Sequence, residues 1–394
     1  MNPLAEPVMP KHASAEQLAS RVREFVDSRV LPCEVQLNKG GNEAREQLKV
    51  LSRAAREGGL RGMFYPAECG GRVASLEEYL PVAEEEGRTE FSQTLFASHS
   101  ALDAHMLLRF ASGPAKQQFL EPLIRGEAIP SYGMTEPDHC GSLPAHISTR
   151  ARLDNGEWVI QGKKWFICNT GSSHFVTVLV RTDSEAAPGE ALSMILVPTD
   201  SPGFEVNRSI AVMGRQQGQG EMHFNAVRVP EHNILGAPGE GVMLMRSRLG
   251  MGRVLRAAHW VGLARRSYEL MLDRLLSDRC QRAGLARKQL VRKHVYDVHE
   301  AIISARHLLR EAARLVDLNA ECDVEVNMAK VAASHALCLA ADSAVQIYGA
   351  EGVSDESPLS GIYRTARTTR ILDGSDEALI SSVGRQLIER YAQQ

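Results

Sequence analysis

Asp154-Asn155-Gly156-Glu157-Trp158-Val159-Ile160-Gln161-Gly162-Lys163-Lys164-Trp165-Phe166-Ile167 is where the chain changes texture. Asn-Gly is a dipeptide that tight hairpins favour, because both central residues of such a turn take a positive φ. The run from Trp158 to Ile167 is rich in β-branched and aromatic side chains, which fit a pleated surface. Upstream the pattern is helical: Leu18, Val22, Phe25, Val26 and Val30 recur on one face until Pro32 ends the run. Similar patterns cover Glu43 to Glu57, Leu76 to Gly87 and Ala101 to Phe110, with Gly70-Gly71 and Gly113-Pro114 as turns. Downstream, strand texture continues through Phe175 to Arg181, Ser193 to Val197 and Met222 to Val229, with Pro202-Gly203 as a loop and Pro230 as a stop. From Gly241 the chain is helical again. Helices are expected at Val242 to Ser277, along the stripe Val291, Val295, Val298, Ile302, Leu309 and Val316, at Val324 to Tyr348 and at Asp376 to Ala392. The expected architecture is α+β but mainly α: a helical domain over 1–129, a β domain over 130–236 and a helical bundle over 237–394.

A chain of 394 residues is long for one core, which fits several domains. Its 45 basic and 48 acidic residues are interleaved, giving a net charge of -3, so neither nucleic acid nor an anionic membrane is indicated as the main partner. The seven cysteines are widely spaced and form no C-x-x-C pair, which points to free thiols in a reducing cytoplasm. Met1 to Ala13 lacks the features of a secretory leader, and no run approaches the length of a membrane span. The expectation is a soluble, unprocessed, cytoplasmic protein.

Several familiar motifs carry no chemistry here. Gly236-Ala237-Pro238-Gly239-Glu240-Gly241 is glycine-rich, but no βαβ pattern surrounds it, so it reads as a loop and helix start. His294 and His299 are badly spaced for a shared metal, and Glu84-Glu85-Glu86 reads as a solvated helix face. Three segments could instead enclose a flat ligand with polar edges. They are Tyr132-Gly133-Met134-Thr135-Glu136-Pro137 with Gly141-Ser142, the aromatic Lys164-Trp165-Phe166-Ile167-Cys168-Asn169, and Gln346-Ile347-Tyr348-Gly349-Ala350-Glu351-Gly352. Trp165 and Phe166 suit a β core equally well, and the glycines near 349 suit a helix C-cap.

The proton-transfer candidate is Asp373, in Arg370-Ile371-Leu372-Asp373-Gly374-Ser375-Asp376-Glu377. Ile371 and Leu372 suggest burial, and a carboxylate drawn out of water is a better base. The same residues also make an ordinary turn and helix cap, with Asp373 as the cap.

In order and spacing these segments resemble the acyl-CoA dehydrogenase family over essentially the whole chain. The family's M-T-E-P with a following G-S lies at Met134 to Ser142, its K-W-F/W-I-x-N at Lys164 to Asn169, and its F-x-x-V-x-V-P-x-x-N-x-L-G at Phe224 to Gly236. Its L-x-x-x-R lies at Leu249 to Arg253, its Q-x-x-G-x-x-G at Gln346 to Gly352, and its acidic-G-[ST] at Asp373 to Ser375. The T-E-P-D opening, Glu221 to Pro230 and the D-G-x-D-E ending look most like the branch, with Asp as base, that includes 4-hydroxyacyl-CoA dehydrogenases. The resemblance implies an N-terminal helical domain, a middle β-barrel domain, a C-terminal four-helix bundle, and FAD in a homodimer or homotetramer. It also implies α,β-dehydrogenation of an acyl thioester of CoA or of an acyl carrier protein, within fatty acid metabolism, with electrons passing to an electron-transferring flavoprotein. By the same route Asp373 is the base. Tyr132, Met134, Thr135, Ser142, Phe166, Cys168, Arg279, Gln346, Gly349, Ser375 and Glu377 bind FAD, and Ser142, Arg253 and Gly374 meet the substrate.

The chain departs from the family pattern at several positions. Asp373 stands where most members have Glu, Leu143 replaces an Asp, Cys168 replaces a Thr or Ser, and Arg282 and Ala286 replace Phe and Leu. Gly252 occupies the other place where some members keep their base, and it has no group to offer. Two alternatives stay open: a flavin oxidase of the same fold resembling nitroalkane oxidase, and a flavin-free relative without catalysis.

Overall fold

The computed structural model describes residues 14–140, 143–187 and 189–393. Helices α1 (Ala15–Phe25), α2 (Gly41–Glu57), α3 (Leu76–Glu86) and α4 (Ser98–Phe110) come first. Strands β1 (Pro130–Gly133), β2 (Arg150–Asp154), β3 (Glu157–Ile167), β4 (Phe175–Arg181), β5 (Leu192–Pro198), β6 (Phe204–Val212), β7 (Arg215–Pro230) and β8 (Ile234–Leu235) follow. Helices α5 (Gly241–Leu276), α6 (Gln289–Asp317), α7 (Asp323–Tyr348), α8 (Leu359–Thr369) and α9 (Asp376–Ala392) complete the described chain, with short helical turns between them. The order of a helical domain, a sheet domain and a second helical domain agrees with expectation. Strands β1, β2, β6 and β8 were not anticipated, and in β6 the residues Glu205 to Ser209 are all exposed, so no buried face marks it.

Contacts divide the chain into two compact units. One, the helical unit, joins the chain up to Phe64 with Gly71–Ser98 and everything from Gly250. The other, the sheet unit, contains Tyr65–Gly70 and His99–Leu249.

In the helical unit, α1 starts with a reciprocal capping box between Ser14 and Gln17 and buries Leu18, Val22 and Phe25. Helix α3 is capped by Ser75 and, from a distant part of the chain, by Asp317 at the end of α6. The Asp317 carboxylate accepts from the Leu76 and Glu77 N–H groups at 2.8 and 2.9 Å, placing an anion at a helix N-terminus. The residues after α3 approach α5 closely enough that a Cβ at Gly87 or Gly262 would overlap the backbone of His259 or Glu84. Helix α7 packs against α6, α8 and α9 through the small residues Ala329, Ala333, Ala336 and Ala340. Its close packing brings the two polar residues Lys330 and Ser334 beneath the loop between α8 and α9.

In the sheet unit the strand order is β6-β7-β3-β2-β4-β5-β8, with β1 paired in parallel to β4. Alternate residues Val176, Val178 and Val180 of β4 and Ile195 and Val197 of β5 share a core with Trp158, Ile160, Met222 and Phe224. That period of two is what buries one face of each strand. The β3–β7 register shifts between Lys164 and Ile167, where Trp165 and Phe166 stand opposite Glu221 alone. A bulge of this kind re-aims side chains.

Candidate active site

In the helical unit, the site candidate is the loop Ile371 to Ser375. The helix cap is Ser375, whose hydroxyl accepts from the Ala378 N–H at 3.3 Å, so Asp373 is not spent on capping. Asp373 takes the left-handed conformation, φ 57°, which Asp tolerates better than most residues but which still carries strain. Gly374 follows at φ 101°, where an added Cβ would lie 3.1 Å from Leu379 Cδ2 and 3.3 Å from Arg253 Nη2. The expected apolar approach is corrected here: Ile371 is 62 % exposed, and it is α5 and α7 that enclose the carboxylate.

Three cationic side chains hold this loop, and an amide steadies one of them. Arg253 donates from Nε to the Asp373 carbonyl at 2.8 Å and from Nη1 to Asn327 Oδ1 at 3.0 Å. One turn further along α5, Arg256 Nε lies 2.6 Å from Asp373 Oδ2, a charge contact without an aligned hydrogen bond. Lys330, fully buried, donates to the Gly374 carbonyl at 2.9 Å and to Asp376 Oδ1 at 2.7 Å. Asp376 also accepts from the Ser334 hydroxyl at 3.0 Å and lies 3.5 Å from Arg370 and 3.3 Å from His335. Burial pushes the Lys330 ammonium toward lower pKa, opposed by Asp376. Burial also lowers the Arg253 guanidinium, opposed by Asp373 and Asp323. The Asp373 peptide N–H and both of its carboxylate oxygens lack a hydrogen-bond partner among the described residues, with Arg256 making a charge contact to Oδ2. One residue thus offers a donor and a proton acceptor side by side.

In the sheet unit, Tyr132, Met134, Thr135, Phe166 and Cys168 gather where β1 and the end of β3 meet. Thr135 and Trp165 bind each other reciprocally: the Trp165 N–H donates to the Thr135 carbonyl at 3.0 Å, and the Thr135 hydroxyl to the Trp165 carbonyl at 2.6 Å. The Ser131 hydroxyl donates to the Cys168 carbonyl at 2.7 Å. Phe166 sits in the bulge at φ 51° and is 47 % exposed, edge-on to Trp165 with ring centroids 4.9 Å apart. It is a projecting aromatic surface and not core. The Tyr132 hydroxyl is buried without a hydrogen-bond partner among the described residues, and its ring lies 4.1 Å beneath the Arg248 guanidinium. Burial pushes this phenol up to about 12, with Arg248 acting in the opposite sense.

A buried ion pair underlies that surface. Lys164 donates to Glu136 Oε1 at 2.8 Å and to the Met134 carbonyl at 3.0 Å, with the side chains 0 % and 3 % exposed. Glu136 also accepts from the Ser148 N–H and hydroxyl at 2.8 and 2.7 Å and from the Thr149 N–H at 2.9 Å. Burial works against the Glu136 charge, but Lys164 and these donors hold its carboxyl at about 2.

The remaining predicted residues are placed elsewhere. Arg279 is exposed on the short helix Asp278–Arg282, Gln346 is exposed on the last turn of α7, and Gly349 ends that helix at φ 68°. Arg274, not Arg279, reaches this segment, with Nη2 2.8 Å from Glu351. Glu377 is exposed and pairs with Arg370 at 3.1 Å. Arg282 and Ala286 are both exposed. Ser142 lies outside the described residues. No cluster of three or more His, Cys, Asp or Glu able to hold a metal occurs among the described residues, nor does any helix long and apolar enough to cross a membrane.

Arg256, Asn327, Lys330 and Asp376 escaped sequence reading as site residues. Arg256 lies three positions after Arg253 and so shares its helix face, while Lys330 is a lone charge in the small apolar run Ala329 to Ala333. Both were readable clues.

The comparisons fit this geometry. Three family descriptions match in succession: acyl-CoA dehydrogenase N-terminal domain over residues 12–127, middle domain over 131–227 and C-terminal domain over 239–388. Acyl-CoA dehydrogenase family member 11 of Rattus norvegicus is 33 % identical over 402 residues, covering 96 % of this chain and 51 % of that protein. The chain therefore spans about half the length of such curated relatives. FadE2 of Mycobacterium tuberculosis, named as an acyl-CoA dehydrogenase, is 33 % identical across 87 % of this chain and 86 % of its own. A solved acyl-CoA dehydrogenase structure from Mycobacterium abscessus superposes with a TM-score of 0.86 at 30 % identity, covering 98 % of this chain and all of the other. With all three domains matched in order, the chain belongs to the acyl-CoA dehydrogenase family.

Proposed function

We propose that this chain is an FAD-dependent dehydrogenase that converts an acyl thioester, such as an acyl-CoA, to its trans-2-enoyl product, with Asp373 removing the C2 proton. The observation that carries the reading is the pairing, within one residue, of an unpartnered peptide N–H and an unpartnered carboxylate oxygen. A C2 proton next to a thioester is only weakly acidic, so the carbonyl oxygen must be polarised while the proton leaves. The Asp373 N–H donates to that oxygen, and Oδ1 takes the proton. Arg253 and Lys330 fix the two carbonyls of the loop, so that donor and acceptor keep their relative geometry.

The residues of the sheet unit fit a flavin. Phe166 offers an exposed ring surface, and the orphaned Tyr132 hydroxyl offers a donor that otherwise has nothing to bind. The residues we assign to the cofactor are Tyr132, Met134, Thr135, Ser142, Phe166, Cys168, Arg279, Gln346, Gly349, Ser375 and Glu377, and those assigned to the substrate are Ser142, Arg253 and Gly374. When bound, FAD supplies the acceptor for the C3 hydride, with an electron-transferring flavoprotein as the final acceptor. We also assign a homodimer or homotetramer and the domain divisions at 129/130 and 236/237. Placement in the branch with an Asp base rests on Asp373 itself and on the T-E-P-D and D-G-x-D-E segments.

Anaerobic addition of a panel of acyl-CoA thioesters to the flavin-loaded protein tests the reading. Bleaching of the flavin band by at least one thioester is expected, and none across the panel would refute it. A second reading, a flavin oxidase acting on nitroalkanes, is favoured by the aspartate at 373 in place of glutamate. Oxygen consumption with a nitroalkane and no bleaching by thioesters would select it.

A further inference from the structure

We propose that Arg256 is a positioning residue for the proton acceptor: it pins Oδ2 of Asp373 and leaves Oδ1 as the oxygen that takes the substrate proton. The inference rests on the reading of Asp373 just given. Arg256 Nε lies 2.6 Å from Oδ2, and the two side chains are only 18 % and 19 % exposed, so the contact is largely shielded from water. Oδ1 has no partner among the described residues.

The neighbouring charges are otherwise engaged. On α5, Arg253 is directed at the Asp373 carbonyl and Asn327. On α7, Lys330 and His335 meet Asp376, and Asp323 acts on Arg253. On the loop and α9, Arg370 meets Asp376 and Glu377. Arg256 is the cation in direct contact with the Asp373 carboxylate, at 2.6 Å. The terminal torsion of an aspartate is broad, so a free carboxylate would present either oxygen. Anchoring one oxygen on a guanidinium selects the other. In the reaction the C2–H bond breaks and the O–H bond forms at Oδ1. The C2 electron pair becomes part of the new C2=C3 bond, and the hydride that leaves C3 is what FAD would accept when bound.

The test compares wild type with Arg256→Met, Arg256→Gln and Arg256→Lys in anaerobic flavin reduction by a thioester that bleaches wild type. Arg256→Met should keep its flavin and lose about a hundredfold in reduction rate at saturating substrate, with KM little changed, as expected for a misplaced reacting group. Arg256→Lys should restore only part of the rate, since an ammonium lacks the planar guanidinium geometry. If Arg256→Met does not fold, Arg256→Gln carries the same expectations. Variants with wild-type rate, with the loss carried by KM, or with a lower rate and no rescue by Lys overturn the proposal. A wild type that no thioester bleaches overturns the dehydrogenase reading and this inference with it.

Discussion

Two buried lysines do the same structural work in different surroundings. Lys330 in the helical unit and Lys164 in the sheet unit are both fully buried, and each donates once to a carboxylate and once to a loop carbonyl. Each supported segment leads to a residue in the left-handed conformation that presents a candidate functional side chain, Asp373 in one case and Phe166 in the other. The carboxylates differ in what else they bind. Glu136 is satisfied by two peptide N–H groups and a hydroxyl, whereas Asp376 is shared among Ser334, Arg370 and His335. The first arrangement makes a fixed platform for an apolar surface. The second sets a lysine and an arginine around Asp376, next to the loop that carries Asp373.

The comparison can be broken most forcefully by removing the lysines singly. Leaving one partner of a buried pair uncompensated costs about 3–5 kcal/mol, so Lys164→Met should unfold at markedly lower denaturant concentration than wild type. Lys330→Met should lose less, because Asp376 keeps Arg370 and the Ser334 hydroxyl as neighbours. Equal losses in urea titrations would show that the two pairs are energetically alike. Replacing both members of the sheet-unit pair, as Lys164→Met with Glu136→Gln, should recover part of the loss, since no unpaired charge is then buried and the amide oxygen can still accept from Ser148 and Thr149.

A smaller effect is expected in the loop itself. Gly374→Ala meets both a positive φ and the close Leu379 and Arg253 atoms, and should cost about 1–3 kcal/mol while slowing flavin reduction. Stability close to wild type together with unchanged reduction kinetics would contradict the tight geometry. The smallest effect is pH-dependent. The Glu136 carboxyl lies at about 2 against an ordinary 4.5, so the unfolded chain protonates first as the solution is acidified. Its stabilising contribution is fully present above pH 4.5 and is lost as pH falls toward about 2. The stability difference between wild type and Glu136→Gln, measured by denaturant unfolding, should shrink over that window.

Where local chemistry repeats, the sequence was legible. Helix α9 begins at Asp376 as expected, although its cap is Ser375 and not Asp373, and β3 and β4 follow from β-branched and aromatic runs. Strand β6 hid because Glu205, Asn207 and Arg208 face solvent along a ribbon held by pairing with β7 alone. The position of Asp373 was readable from its motif, but its surroundings were not. Arg256 on an amphipathic helix looks like any surface arginine until the fold brings the loop after α8 against it. Ile371 shows the converse, since an apolar neighbour in sequence says little about burial when the chain turns.

The most direct test of the central claim is the anaerobic thioester titration repeated with Asp373→Asn. The amide keeps the shape and the peptide N–H but cannot accept the proton, so the variant should bind FAD as wild type does and show no thioester-dependent bleaching. Bleaching of Asp373→Asn at a rate near that of wild type would contradict the account and remove Asp373 from the chemistry.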